Sequence, residues 1–485
     1  MKKTLTRATS IISAALLLGA VGCGSAGEKP ETSGSDAQES TVSESVTETE
    51  DTSRAKDNLP ATDFKGKTFG ILIKDEMSYE FDPENSAEII SDAVHKRNLS
   101  IENRFNCKLN YIHEPGAWAS RETFQSLISN AVLTGDPVYD IVTGQSNILM
   151  PLAVQQMYNN VADAKYIDFD QPYWKSGYHE NAMINGKLFT LCGDFALTTF
   201  SCSNVLFFNK KLFTDNGMEF PYETVKAGKW TLDEFLSTVT NKTADLDGDG
   251  VINENDLHGF ASGGNQLSPF FVSTGLHLTK PDGDRRVPDF MSDATIDVFD
   301  KIHDYCRSKD FIRRDDLANG IEFKEGKFFM IGCTLNTVEV LRDMEVDFGI
   351  LPYPKYDENQ ENYRTSVLRT YTVAAIPNSA SNKENPEIIL EALCCAGYNG
   401  ITPLYYEKAL NGKFFRDEES SEMLDIINAT TYLEFADVFY SDLGAISDIL
   451  VEYAFSSNSR VASFWERKQS AFKKNLENLY DNFDD

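Results

Sequence analysis

Lys67-Thr68-Phe69-Gly70-Ile71-Leu72-Ile73-Lys74 (KTFGILIK) reads as a first strand. Ser86 to Phe105 follows as a helix, with Ile90, Val94, Ile101 and Phe105 at helical spacing on one face. Cys107 to His113 is strand-like again. Phe124, Leu127, Ile128, Ala131 and Val132 mark a second helix with Gly135 as its stop, and Tyr139 to Thr143 is a third short strand. Strand, helix, strand, helix, strand at this spacing predicts parallel α/β units.

Downstream the pattern is less regular. Met183 to Asn209 reads as strand-like, through Gly186-Lys187-Leu188 and Val205 to Phe208. Trp230 to Val239 reads as a helix opened by a capping box of Thr231 with Glu234. Val346 to Leu351 and Thr372 to Ile376 read as further strands. Asn385-Pro386 starts a helix through Leu393 with Pro at its first position. The chain ends in a helix whose stripe is Val461, Trp465, Lys468, Phe472, Leu476, Leu479 and Phe483.

Upstream of the first strand the composition changes. Residues 1–22 read as an export signal: Lys2, Lys3 and Arg7 are basic, and Ile11 to Gly22 is apolar or small apart from Ser13. That stretch is shorter than the about 20 residues a membrane span needs. Ala20-Val21-Gly22-Cys23 resembles a bacterial lipobox, with Ala20 where Leu is commonest. The resemblance makes Cys23 a lipidation site and the mature N-terminus. Gly24 to Asn58 is rich in Ser, Thr, Glu, Asp and Gly, too poor in apolar surface to fold, and reads as a disordered tether.

Net charge is −30. So acidic a chain is expected to bind neither nucleic acid nor anionic lipid directly. Seven Cys follow Cys23, with no CxxC pair and no Cys/His spacing for zinc, and read as buried free thiols. Asp245-Leu246-Asp247-Gly248-Asp249-Gly250-Val251-Ile252-Asn253-Glu254-Asn255-Asp256 has the spacing of an EF-hand-type calcium loop. Asp245, Asp247, Asp249, the Val251 carbonyl, Asn253 and Asp256 are the expected metal ligands, the alternative being an acidic surface turn without metal, and Gly250 sits at the sharp turn. A saturated oxygen cage makes this calcium structural. No GxSxG, HExxH, P-loop or GxGxxG pattern occurs, so no enzyme is expected. Sugar rings stack on aromatic planes, and Trp174, which follows a loop, is the first exposed-aromatic candidate.

Several stretches resemble extracellular solute-binding proteins of carbohydrate-type ABC importers, in a Gram-positive branch of the maltose-binding-like superfamily. Asp92 to Asn98 is similar to an "AVYxRN" helix and Tyr139-Asp140-Ile141-Val142 to a "YDIV" strand. Asn185 to Phe189 with Leu206 to Lys210 resembles a "dGKlY … lyYNK" pair. Lys229 to Phe235 resembles "TWdEf", and Phe348 to Lys355, with Gln360 and Tyr363 beyond, resembles "GilPyPK…Q..Y". Their shared order carries the resemblance.

The resemblance implies an α/β, two-lobed periplasmic-binding-protein-like fold with crossing hinge segments and C-terminal helices. Residues 61–200 and 370–400 would form lobe 1, and residues 201–369 and 401–485 lobe 2, after the signal (1–22) and the lipidated Cys and tether (23–60). The crossings would lie near Thr198 to Asn204 and Val367 to Thr372. Ligand would meet Glu76 and Tyr79 after the first strand, Gln145, Ser146 and Asn147 after the third, Ser201 at the crossing, and Thr334 and Asn336. Ligands sit at strand carboxyl ends in open α/β sheets, which supports the first two groups independently. Cys202 and Cys333 stand where relatives often carry charged or aromatic contacts, so specificity does not transfer. The implied role is a monomeric, lipid-anchored, extracytoplasmic receptor that passes a sugar, of oligosaccharide size, to permease subunits. The alternatives are an extracellular carbohydrate-active enzyme and a surface sensor or interaction protein on the same fold.

Overall fold

The computed structural model of the chain describes residues 54–83, 88–317, 320–408, 417–457 and 460–484. The signal, Cys23 and most of the tether lie outside them. The strands in chain order are β1 (Lys67–Lys74), β2 (Cys107–Glu114), β3 (Ile141–Gln145), β4 (Asn204–Asn209), β5 (His258–Ser262), β6 (Thr279–Asp282), β7 (Arg285–Pro288), β8 (Phe311–Arg313), β9 (Phe328–Thr334), β10 (Phe348–Leu351), β11 (Thr365–Ser366), β12 (Thr372–Ala375) and β13 (Thr431–Tyr432).

The first sheet runs β12-β3-β1-β2. β1 is parallel to both β2 and β3, whereas β12 returns antiparallel to β3. The helix Ile89–Phe105 buries Ile90, Val94, Ile101 and Phe105, the face its spacing predicts, and ends on Asn106 in the left-handed region. β3 begins two residues later than Tyr139. The cause is Asp140, whose N–H donates to the Gly70 carbonyl (2.8 Å) while its carboxylate accepts the Gly70 N–H (3.0 Å) and the Lys67 ammonium (2.9 Å), so a side chain replaces one ladder bond there. Gly70 permits this approach: a Cβ on it would lie 2.2 Å from the Val138 carbonyl oxygen.

The second sheet runs β10-β4-β9-β5-β8, antiparallel through β10, β4 and β9 and parallel through β9, β5 and β8. Trp230 is fully buried, with its indole N–H on the Pro352 carbonyl at 3.0 Å. Thr231 caps the helix Leu232–Val239 by accepting the Glu234 N–H at 3.3 Å. Two lobes result, one on each sheet. Two crossings join them side by side: Ser203 bridges Val367, and the Leu368 N–H donates to the Cys202 carbonyl at 2.9 Å.

The stretch from Met183 to Asn209 is a strand only from Asn204 onward. Before that it pairs one residue at a time, Ile184 with Lys187 across a turn at Gly186 and Leu191 with Ala374, and then forms one helical turn, Thr198–Ser201. A run that changes partner every few residues cannot build a ladder. Residues 54–60, read as tether, are docked. Asp57 pairs with both Arg104 Nη atoms at 2.6 Å, Asn399 holds both backbone polar groups of Ala55, and Leu59 packs on the core.

The C-terminal segment touches both lobes. The helix Val461–Asp484 packs Trp465 on Phe290, with ring centroids 4.4 Å apart, and Phe483 on Phe189 at 5.6 Å. All seven described cysteines are free, and Cys306 alone among them is not fully buried. Burial pushes the Cys202 thiol up to about 11 and the Cys333 thiol to about 12, which makes both inert.

Candidate functional site

β1 and β9 end facing the space between the lobes. After β1 comes the tight turn Asp75–Glu80, and after β9 the turn Leu335–Thr337. A cavity of about 340 Å³ lies between them. Glu76, Met77 and Tyr79 line it from the first turn, Glu88, Ile90 and Ser91 from the start of the next helix, and Leu197 from the first crossing. Asn336, Glu339 and Val340 line it from the second lobe, and Tyr405 from the helix Thr402–Lys408. Three residues named from the sequence, Glu76, Tyr79 and Asn336, therefore meet in one cavity from opposite lobes.

Each is held in place. The Glu76 carboxylate accepts the N–H groups of Gly116 (3.0 Å) and Ala117 (3.1 Å), which fixes it against the loop after β2. Asn336 accepts the Thr334 hydroxyl at 2.6 Å. Burial pushes the Tyr79 phenol well up, and the Ser201 hydroxyl lies close enough to offset part of that. Both Tyr79 and Tyr405 therefore stay protonated and keep a donor.

The other expected residues form the surroundings. Ser146 is buried, with its hydroxyl 3.2 Å from the Tyr371 phenol and its N–H on the Tyr371 carbonyl. Gln145 Oε1 and Asn147 Oδ1 are buried without a protein partner. Thr334 ends β9, opposite Asn204 of β4. Among the described lining residues none is basic, while Glu76, Glu88 and Glu339 are acidic and Tyr79 and Tyr405 aromatic. Such a wall suits a neutral, hydroxyl-rich ligand: carboxylates accept from its hydroxyls and rings cover its apolar faces.

Trp174 does not fit its expected role. It is 3 % exposed, its indole N–H donates to Glu391 at 2.8 Å, and it packs among Phe169, Tyr173, His179 and Phe195. The loop before it turns the ring inward onto the helix Glu384–Gly400, so no face is left for a ligand. The exposed tryptophan is Trp118, at 45 %, directly after the Gly116-Ala117 pair that Glu76 holds. Arg121 lies over its ring at 4.5 Å. Tyr405 and Glu339 also escape the sequence reading, because no local pattern marks them.

The carboxylates of Asp245, Asp247 and Asp249 converge within 4.8 Å in an exposed loop. Gly250 has φ +79°, the left-handed turn that the spacing demands. Asp256 is buried and closes the loop, accepting the N–H groups of Leu246 (2.9 Å) and Asn253 (2.8 Å), bonds that hold its carboxyl below the usual range. Three converging hard oxygen donors fit a calcium ion, and Asp256 keeps further lone pairs.

Neither a family model nor a curated protein sequence matches the chain. Solved structures do. The maltose/maltodextrin-binding domain MalE from Bdellovibrio bacteriovorus, bound to maltotriose, is 15 % identical, covers 86 % of this chain and 100 % of its own, and superposes with a TM-score of 0.52. A cyclo/maltodextrin-binding protein complexed with maltotetraose is 13 % identical over 87 % of this chain and 98 % of its own, with a TM-score of 0.55. An ABC substrate-binding protein from Listeria monocytogenes in complex with cycloalternan is 12 % identical over 86 % and 99 %, at 0.51. At these identities the likeness is one of fold. The chain has the two-lobed α/β fold of periplasmic-binding-protein-like molecules.

Proposed function

We propose that this chain is a receptor that captures a neutral sugar of oligosaccharide class between its lobes and hands it intact to an ABC permease. The observation that carries the reading is the cavity itself: Glu76 and Tyr79, Asn336 and Glu339, and Tyr405, from three distant parts of the chain, line one space beside two adjacent crossings. The sugars held by its fold neighbours support the ligand class. Hinge closure selected by the ligand's preference for the closed form is the mechanism.

In this reading Cys23 carries the lipid that holds the monomer outside the cell membrane, and calcium in the Asp245–Asp256 loop is structural. No described helix is long and apolar enough to cross a membrane. Cys23→Ala then releases the protein from the membrane fraction. The deciding experiment is a thermal-shift screen with maltotriose, maltotetraose and other neutral oligosaccharides. A ligand at 100 times its Kd adds about 2.7 kcal/mol. The binding sugar lowers the radius of gyration in solution scattering and is recovered intact. Cleaved product would replace the receptor with an enzyme, and response to a peptide alone would overturn the sugar.

A further inference from the structure

Glu80 ends the turn that presents Glu76 and Tyr79 to the cavity, yet it points away from solvent, being 1 % exposed. Its two oxygens go to the two crossings. Oε1 accepts the Thr198 N–H at 2.8 Å, and Oε2 accepts the Thr372 hydroxyl at 2.6 Å. The Thr372 N–H donates in turn to the Thr198 hydroxyl oxygen at 2.8 Å. A cleft wall and both crossings thus close a three-membered ring of hydrogen bonds.

Two further cations brace that ring. Arg97 donates from Nη2 to the Glu80 carbonyl and from Nη1 to the Phe195 carbonyl, both at 2.9 Å, joining the turn to the approach of the first crossing. Lys74, at the end of β1 and 2 % exposed, donates to the Thr370 carbonyl at 3.3 Å. Burial pushes its ammonium down, and the Glu80 charge offsets part of that. Beyond the ring the ties are of another kind. The crossings pair backbone to backbone at Ser203–Val367, and Arg369 reaches Asp437 (2.9 Å) and Asp448 (2.8 Å) of the C-terminal segment.

We infer that Glu80 is a positioning residue that clasps the first-lobe ends of both crossings to the cleft wall, so that the lobes bend beyond Thr198 and Thr372. A carboxylate suits this work, since it presents two acceptor oxygens in one plane and its bonds are charge-assisted. The wall bearing Glu76 and Tyr79 then moves as one body with the first sheet, to which Lys74 and Ser146 also hold Thr370 and Tyr371, and residues 199–203 and 366–369 take up the motion. The inference rests on reading the cavity as a site that closes, but its test needs no ligand.

Nitroxide labels on Leu133→Cys in the first lobe and Ile296→Cys in the second, in a Cys306→Ser background, report the interlobe distance of the ligand-free chain. Hydrogen exchange reports the Thr198 and Thr372 amides. Glu80→Ala is expected to widen the distance distribution and to speed both amides by about 10- to 100-fold. Glu80→Gln, whose Oε1 still accepts from Thr198, restores the narrow distribution and most of the protection. A folded Glu80→Ala chain with wild-type distances and exchange overturns the clasp. If Glu80→Ala does not fold, Thr372→Val removes one bond of the ring, and unchanged distances and exchange in it overturn the clasp equally. A chain that ignores every sugar but passes these tests loses its proposed ligand and keeps its hinge.

Discussion

Two acidic turns of this chain, Asp75–Glu80 after β1 and Asp245–Asp256 before β5, handle their carboxylates in opposite ways. In the second, Asp245 accepts the N–H of Gly250 five residues on, and the longest bond, from Leu246 to Asp256, spans 10 residues. In the first, Glu76 reaches 40 residues to Gly116, and Glu80 reaches 118 residues to Thr198 and 292 to Thr372. The aspartates of one turn are wired within it, while its Glu254 reaches out to Arg314 at 3.8 Å; the other turn is wired across the molecule. A locally wired loop can form wherever the chain goes, whereas the Glu80 ring exists only once both lobes have folded. Local wiring leaves the three aspartates exposed and available to a cation; distant wiring buries Glu80 and makes it part of the frame.

The comparison is broken if both turns respond alike to loss of a carboxylate. Glu80→Ala strands the buried Thr198 N–H and removes the charge that offsets Lys74, so it is expected to cost about 2–4 kcal/mol in urea unfolding. A loss no larger than that of Asp247→Ala would dissolve the distinction.

A second buried carboxylate, bonded to its own helix start at the Ala436 N–H, sharpens it. Glu434 is 3 % exposed, and burial with the nearby Asp437 pushes its carboxyl up to about 7, against the pull of Arg286 and the Ala436 N–H. The folded chain therefore holds this proton more tightly than the unfolded one. The contribution to stability is present below about pH 4.5, falls as pH rises, and is gone above about pH 7, on the order of 3 kcal/mol in all. Glu434→Gln should flatten that part of the stability–pH curve; an unchanged slope would assign it elsewhere.

Smaller effects belong to the cavity. Tyr79→Ala and Asn336→Ala are each expected to weaken the sugar found by thermal shift about tenfold, or 1.4 kcal/mol, by calorimetry. Trp174→Phe should leave that affinity unchanged, because the ring is enclosed. The smallest concerns the local loop. Asp247→Ala should abolish the calcium-dependent rise in melting temperature and, without calcium, shift stability by no more than about 0.5 kcal/mol. No calcium response in the unaltered chain would remove the ion from the loop.

Much of the frame was legible from residue patterns. β1 occupies the span KTFGILIK predicts, the Thr231 cap forms, and the parallel first units appear. Glu76 and Tyr79 were reachable because strand carboxyl ends are where such folds place ligands, and Asn336 through the family resemblance alone. Trp174 was misjudged because loop sequence says nothing of which way a ring turns; Glu391, 217 residues away, draws it inward. Glu339 and Tyr405 went unseen for the same reason, as neither sits in a motif.

Periodicity, caps and turn residues act over a few turns of chain, so strands, helices and the DxDGDG loop follow from neighbours alone. Burial obeys no such range. Glu80 and Glu76 lie four residues apart in one turn, yet one is 1 % exposed and holds the crossings while the other is exposed and faces the cavity. The segments that separate their fates, residues 198 and 372 for one and 116–117 for the other, arrive only when the lobes assemble, because desolvation depends on every atom packed nearby and not on the order in which the chain supplies them.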